Sequence, residues 1–255
     1  MSSEELLEFI RKKQLQAPEP SEKEKKRQPL AEYGLGNVEC DICHNTGIIP
    51  FWKDGILYSR DCECMAKRRS LRELERSGLK NMAERYTLDK YVPDNDLSAS
   101  LLKYARKYLD DAPAWFFVSG RPGSGKTHIC TGICLELINR GAQVAYMLWR
   151  DESSKLKASL VTDPEYYQQR VKQLKEAQVL YIDDFFKGTP TDSDKKTAFE
   201  ILNYRYNDRN LRTIISSELD FAALKKIDEA LAGRINERGK GYCRRSPSKN
   251  YRVEQ

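Results

Sequence analysis

The sequence predicts an α/β fold: a parallel sheet with helices on both faces, preceded by a small cysteine-bearing and helical segment. Three observations lead there. Short apolar runs of strand length alternate with helical patterns after residue 95, the order that builds a parallel sheet. A glycine-rich octapeptide, Gly120-Arg-Pro-Gly-Ser-Gly-Lys-Thr127, joins one such strand to the helix after it, which is the setting of a phosphate-binding loop. A further apolar run, Val179-Leu-Tyr-Ile-Asp-Asp184, ends in two carboxylates and so places acids at the carboxyl edge of the same sheet.

Taken in order, Leu6, Leu7 and Ile10 recur at helical spacing, and residues 16–29 then turn Pro-, Glu- and Lys-rich without apolar periodicity, a helix followed by a linker. Cysteines and glycines punctuate 40–64, and the Arg, Lys, Leu and Glu content of 65–80 predicts a helix. Leu101, Leu102, Tyr104, Ala105 and Tyr108 mark the next helix, which leads into a strand over Ala114–Val118. Beyond it come helix Lys126–Asn139, strand Gln143–Trp149, polar helices from Arg150 to Ala177, strand Val179–Ile182, helix Asp192–Asn207 and strand Arg212–Ser216. The expected division is residues 1–85 for helix, linker and cysteine segment and 86–255 for the main domain. No internal repeat is visible.

With 255 residues the chain can hold one sizeable core and an accessory. Apolar residues make up 40% of it, and no run approaches the roughly 18 needed to cross a bilayer, so a soluble protein with no membrane partner is expected. The first thirteen residues mix acids with a short apolar stripe rather than following the order of an export signal, which predicts a cytoplasmic location. Seven cysteines, an odd number, do not read as a disulfide framework. A net charge of +6 permits contact with nucleic acid without demonstrating it.

The octapeptide carries specific chemistry. Gly120, Gly123 and Gly125, with Arg121, Pro122 and Ser124 between them, let successive amides and the following helix N-terminus face phosphates. Lys126 reaches the terminal phosphates and Thr127 offers a hydroxyl to Mg²⁺, while His128, one position on, reads as a packing residue at the start of the helix. Asp183 is expected to hold Mg²⁺ through water and Asp184 to orient the attacking water. Two acids after an apolar run are often a solvated strand end; their position downstream of the loop favours the catalytic reading.

Further stretches accompany these: Arg85-Tyr-Thr-Leu-Asp-Lys-Tyr91, Ile201-Leu-Asn-Tyr-Arg205, Thr213-Ile-Ile-Ser-Ser217, Gly233-Arg-Ile-Asn-Glu-Arg238 and Asn250-Tyr-Arg252. In combination with the loop and the acids, residues 85–255 resemble the DnaC/DnaI/IstB group of AAA+ ATPases, about two-thirds of the chain. The resemblance implies a P-loop AAA+ domain with a reduced or absent C-terminal lid, binding ATP and assembling into homo-oligomers. It implies that Ser217 is the first sensor of the γ-phosphate, with Glu218 standing where relatives have asparagine and remaining the alternative. It implies too that Arg238 is an arginine finger reaching a neighbouring subunit, with Arg234 as the alternative, and that Arg252 is a second sensor.

Cys40-Asp-Ile-Cys43 and Cys62-Glu-Cys64 form two close pairs separated by 18 residues, enough chain to complete a tetrahedral zinc site, with His44 as a substitute ligand. Lys155, Lys157, Tyr166, Tyr167, Arg170 and Lys172 mix cations with rings, a composition suited to single-stranded DNA or to a solvated helix pair. The leading expectation from the resemblance is an ATP-dependent loader of a replicative DnaB-family helicase onto single-stranded DNA, its zinc segment touching the helicase. An IstB-like transposition helper, a non-hydrolysing nucleotide-stabilised adaptor and a small-molecule kinase are the alternatives, the last lacking any recognisable acceptor pocket.

Overall fold

A computed structural model describes residues 39–76, 80–111, 114–247 and 251. The predicted first helix, the linker and Arg252 lie outside the described residues. The first described elements are a hairpin, β1 (Ile48–Lys53) and β2 (Ile56–Asp61), then helices α1 (Cys64–Arg76) and α2 (Lys80–Ala83), a 3₁₀ turn at Leu88–Lys90 and α3 (Asp96–Asp110). The alternating part follows: β3 (Trp115–Ser119), α4 (Lys126–Asn139), β4 (Val144–Leu148), α5 (Trp149–Thr162), α6 (Pro164–Glu176), β5 (Val179–Asp183), α7 (Asp192–Asn207) and β6 (Arg212–Ser217). Helices α8 (Phe221–Ile227) and α9 (Glu229–Arg238) and strand β7 (Cys243–Arg245) complete it.

Five parallel strands lie in the order β4-β5-β6-β3-β7. Because neighbouring side chains on a strand face opposite ways, each strand feeds two cores. Phe116, Val118, Tyr146, Tyr181 and Ile214 pack with Leu101 and Tyr108 of α3 and with Ile129 and Ile133 of α4. Trp115, Phe117, Met147, Leu180, Ile182 and Ile215 pack with Leu156, Leu174, Ile201, Leu224 and Ile235 of α5 to α9. Strand β6 between β3 and β5 is the crossover that sets the phosphate loop and the acidic strand end around one crevice.

The predicted bounds of α4 and α7 match those observed, the latter started by a capping box between Thr191 and Asp194. Several elements have no counterpart among the expectations, α2, the 3₁₀ turn and α8 among them. The hairpin leaves neither face covered, so no apolar–polar alternation marks it; its signal was Asp54-Gly55, both at positive φ in the turn. Strand β7 is three residues long and cationic, and the basic stretch around Gly233–Arg238 is helix α9. The expected boundary at residue 85 also does not follow the packing. Helix α1 lies on the main domain: the Ser70 hydroxyl donates to the Ala142 carbonyl at 3.2 Å and accepts the Val144 amide at 3.0 Å, at the start of edge strand β4, and Leu74 is buried in the same core.

Arg205, from the Ile201–Arg205 stretch, explains how α6, α7 and β6 are held together. It is fully buried, and its guanidinium donates to the carbonyls of Leu174, Lys175 and Ala177 at 3.1, 2.9 and 2.7 Å, to the Thr213 hydroxyl at 3.0 Å and to the Arg212 carbonyl. Replacing it orphans several buried acceptors at once, at about 1–3 kcal/mol for each left unsatisfied. Arg205→Met is therefore expected to lower stability by at least about 3 kcal/mol in urea unfolding; a loss below about 1 kcal/mol would show that water replaces the guanidinium.

Candidate functional site

The octapeptide wraps the N-terminus of α4. Gly123 and Gly125 sit at φ 76° and 84°, backbone that side chains rarely adopt, and a Cβ at Gly120 would lie 1.9 Å from the Ser246 hydroxyl. The loop is tied from both sides. Ser124 Oγ donates to the Arg121 carbonyl at 2.7 Å and lies 2.6 Å from Ser246 Oγ, while the Tyr251 amide donates to the Gly123 carbonyl at 3.1 Å. Lys126 is nearly buried and donates to the Gly120 and Arg121 carbonyls, both at 2.8 Å. Desolvation pushes its pKa down, opposed by Glu218, Asp184 and Asp183, so an arriving phosphate would restore the charge that burial disfavours.

Asp183 ends β5 beneath the loop. It accepts from the Ser216 hydroxyl and lies 3.3 Å from Thr127 Oγ1 and 3.4 Å from Tyr146 Oη. Burial raises its pKa, with the Ser216 hydroxyl opposing. A buried carboxylate beside a threonine hydroxyl at the foot of a phosphate loop is the donor set a hard cation such as Mg²⁺ takes. Asp184 turns outward at φ 53°, its amide on Ser216 Oγ at 3.0 Å, and its carboxylate accepts Lys187 Nζ at 2.7 Å. The loop, Asp184, Lys187 and Glu218 line one cleft of about 310 Å³ together with Tyr86, Tyr91, His128 and Tyr251.

The family model for the IstB-like ATP binding protein matches residues 55–250. The chain belongs to this IstB-like ATP-binding family. Among relatives it is 31% identical over 207 residues to Bacillus subtilis YqaM, covering 75% of this chain and 64% of YqaM. To the replicative helicase loader DnaC of Escherichia coli it is 24% identical over 170 residues, 66% of this chain and 68% of that one. A crystal structure of DnaI superposes with a TM-score of 0.55 at 21% identity, covering 67% of this chain and 93% of DnaI, a likeness of fold.

Within the IstB-like domain, two expected site residues point away from the cleft. Ser217 lies on the far side of β6: its hydroxyl donates to the Phe185 carbonyl at 2.8 Å and accepts the Leu219 amide at 3.1 Å. Strand alternation turns Ser216 the other way, onto Asp183, and Glu218, one residue past the strand, lines the cleft. Arg238 is buried and donates to the carbonyls of Tyr206, Asp208, Arg209 and Leu211 at 3.2, 3.2, 3.3 and 3.2 Å, with its guanidinium over the Trp115 ring. Its guanidinium is thus engaged within this chain's own fold. Arg234, one turn earlier on α9, is half-buried and lies over the Phe199 and Tyr206 rings.

In the α5–α6 pair, several of the residues named for DNA have partners within the fold. Lys157 pairs with Asp194 at 2.7 Å, Arg170 with Glu152 at 2.6 Å, and Tyr167 donates to Glu200 at 2.9 Å, so three of the six residues named for DNA hold these helices to their neighbours. His128 lines the cleft and packs there, its Nε2 2.9 Å from the Thr87 carbonyl and its ring stacked on Tyr86 and edge-on to Tyr91.

The four cysteines converge: their sulfurs all lie within 4.8 Å of one another, with Cys40 to Cys62 at 3.7 Å and Cys43 to Cys64 at 3.6 Å. Tetrahedral zinc with Zn–S bonds of about 2.3 Å needs sulfurs about 3.8 Å apart, so the residues fit the ion. The Gly47 amide and Arg68 Nε donate to Cys43 and Cys64 sulfurs at 3.3 and 3.4 Å, contacts that favour thiolates. His44 is exposed and outside the cluster, which leaves the cysteines as the ligand set.

Sequence reasoning missed Lys187. It bridges Asp184 and Glu218, at 2.7 and 3.2 Å, at the mouth of the cleft. Its position in the turn three residues after the second acid was the available clue. Without it two carboxylates would face the incoming phosphates, so Lys187→Ala is expected to weaken ATP binding about tenfold and Glu218→Gln in that background to recover part of the loss. Titration with a fluorescent ATP analogue measures both, and unchanged affinity in Lys187→Ala would mean the ion pair plays no part in binding.

Proposed function

We propose that the chain is an ATP-dependent loader of a replicative DnaB-family helicase onto single-stranded DNA, hydrolysing ATP slowly and working through ATP-controlled assembly. The observation that carries ATP chemistry is the convergence of Lys126, Thr127 and Asp183 under the phosphate loop, with Asp184 and Glu218 facing the same cleft. Thr127 and Asp183 would hold Mg²⁺, whose charge offsets that of the phosphates. Lys126 leaves its loop carbonyls for the terminal phosphates. Asp184, held by Lys187, orients the attacking water, and Glu218 takes the sensing position in place of Ser217. Similarity to the DnaC loader supports the replicative role, and the cysteine knob supports it over an IstB-like transposition helper.

Arg234 takes the role of finger. It stands on a helix surface that a neighbouring subunit can meet, and Phe199 and Tyr206 hold its guanidinium in place. Mixing Lys126→Ala with Arg234→Ala subunits should restore ATP turnover that neither has alone, by a factor on the order of 10³ at each rescued site. Arg238→Ala should instead lower thermal stability. If mixtures with Arg238→Ala are rescued and those with Arg234→Ala are not, the assignment is wrong.

Four thiolates around zinc would supply the stability that this small segment lacks. Metal analysis of the protein is expected to find about one zinc per chain, lost in a Cys43→Ser/Cys62→Ser double variant together with hydrogen-exchange protection of residues 40–64. Protection unaffected by the substitutions would remove the structural role of the ion.

A further inference from the structure

The hairpin β1–β2 projects from the cysteine knob with both faces uncovered, and Trp52 is 69% exposed, Leu57 55%, Tyr58 43% and Phe51 39%. A two-stranded sheet that exposes this much apolar surface is built to meet something. The pairing register says what. Lys53 lies opposite Ile56, Phe51 opposite Tyr58 and Ile49 opposite Arg60, so strand alternation sorts these six residues onto one face. That face carries two rings between two cations and no acid. Phe51 and Tyr58 already stand with centroids 5.7 Å apart and planes 23° from parallel, presenting adjacent ring surfaces. The acids lie elsewhere: Asp54 is in the turn, and Asp61, on the opposite face, is paired with Arg69.

We propose that this face binds single-stranded nucleic acid, bases stacking on Phe51 and Tyr58 and phosphates held by Lys53 and Arg60. Among the described residues neither cation has a hydrogen-bond or ion-pair partner, in contrast to Lys157 and Arg170 of the α5–α6 pair. Four residues of strand separate the positions of the two cations, on the order of 14 Å, a span that suits two or three nucleotides on a sheet platform. Stacking is tolerant of sequence, and the cations are placed for the phosphate backbone that DNA and RNA share, so oligothymidine and oligouridine should bind alike. The opposite face, with Ile48, Pro50, Trp52, Leu57, Ser59 and Asp61, has a ring but no cation and serves as the control.

The reading goes beyond the nucleotide site and does not depend on it, so binding is measured without ATP. Fluorescence anisotropy of labelled oligothymidine and oligouridine of about 15 nucleotides would be followed against salt. Phe51→Ala/Tyr58→Ala in the full chain should weaken binding about tenfold or more, and Lys53→Gln/Arg60→Gln should flatten the salt dependence by about one counterion per cation. Trp52→Ala/Leu57→Ala should change neither, and Phe51→Tyr/Tyr58→Phe should keep wild-type affinity. Unchanged thiol accessibility of the cysteines in each variant shows that the knob stays folded. The proposal falls if the wild-type chain binds neither oligomer, if both faces lose affinity equally, or if the ring variants abolish only self-association or capture of a protein partner.

Discussion

The carboxylate of Asp183 is the group around which the nucleotide site is arranged. It is buried at the end of β5, where an unshared charge is costly, and burial raises its pKa despite hydroxyls from Ser216, Thr127 and Tyr146. Those hydroxyls come from three elements: the strand between loop and acid, the loop's own helix, and edge strand β4. A parallel order with β6 in the middle is what brings them together. The same strain on the charge makes the site receptive to a cation, and the desolvated Lys126 beside it makes it receptive to phosphate. Apart from each other, both groups would be poorly placed.

Arginines show how far environment decides role. Arg205 and Arg238 have the composition of surface cations, yet each is buried and bonded to a cluster of carbonyls where helices end against β6. A guanidinium suits that place because its fork of donors can satisfy several acceptors at once. Arg234, four residues before Arg238, is half-buried on α9, its guanidinium over the Phe199 and Tyr206 rings and donating to the Ala230 carbonyl. One helical turn separates a structural arginine from a candidate catalytic one.

The cysteine knob depends on a different constraint. It has little apolar interior of its own, and α1 docks it on the main domain through Ser70 and Leu74 while its four sulfurs converge at a site that fits zinc. Freed from any need to cover a core, the hairpin can hold its rings and cations outward. Helix α1 runs directly from Cys64 to the edge of the sheet, where Ser70 meets Ala142 and Val144.

Much of this was legible in the sequence, for reasons particular to each element. The phosphate loop, the acidic strand end and helices α4 and α7 were read correctly because glycine spacing, strand length and caps are local properties. The cysteine pairs were legible because thiolate pairs that close together have few other uses. Neither the face on which Ser217 lies nor the burial of Arg238 could be read this way. Each depends on which residues pack against it: a one-residue step along β6 separates Ser216, bonded to Asp183, from Ser217, bonded to Phe185, and α9 packs Arg238 over Trp115. Local chemistry is written in the order of residues, whereas the direction of a side chain and the partners that hold it belong to the packed sheet.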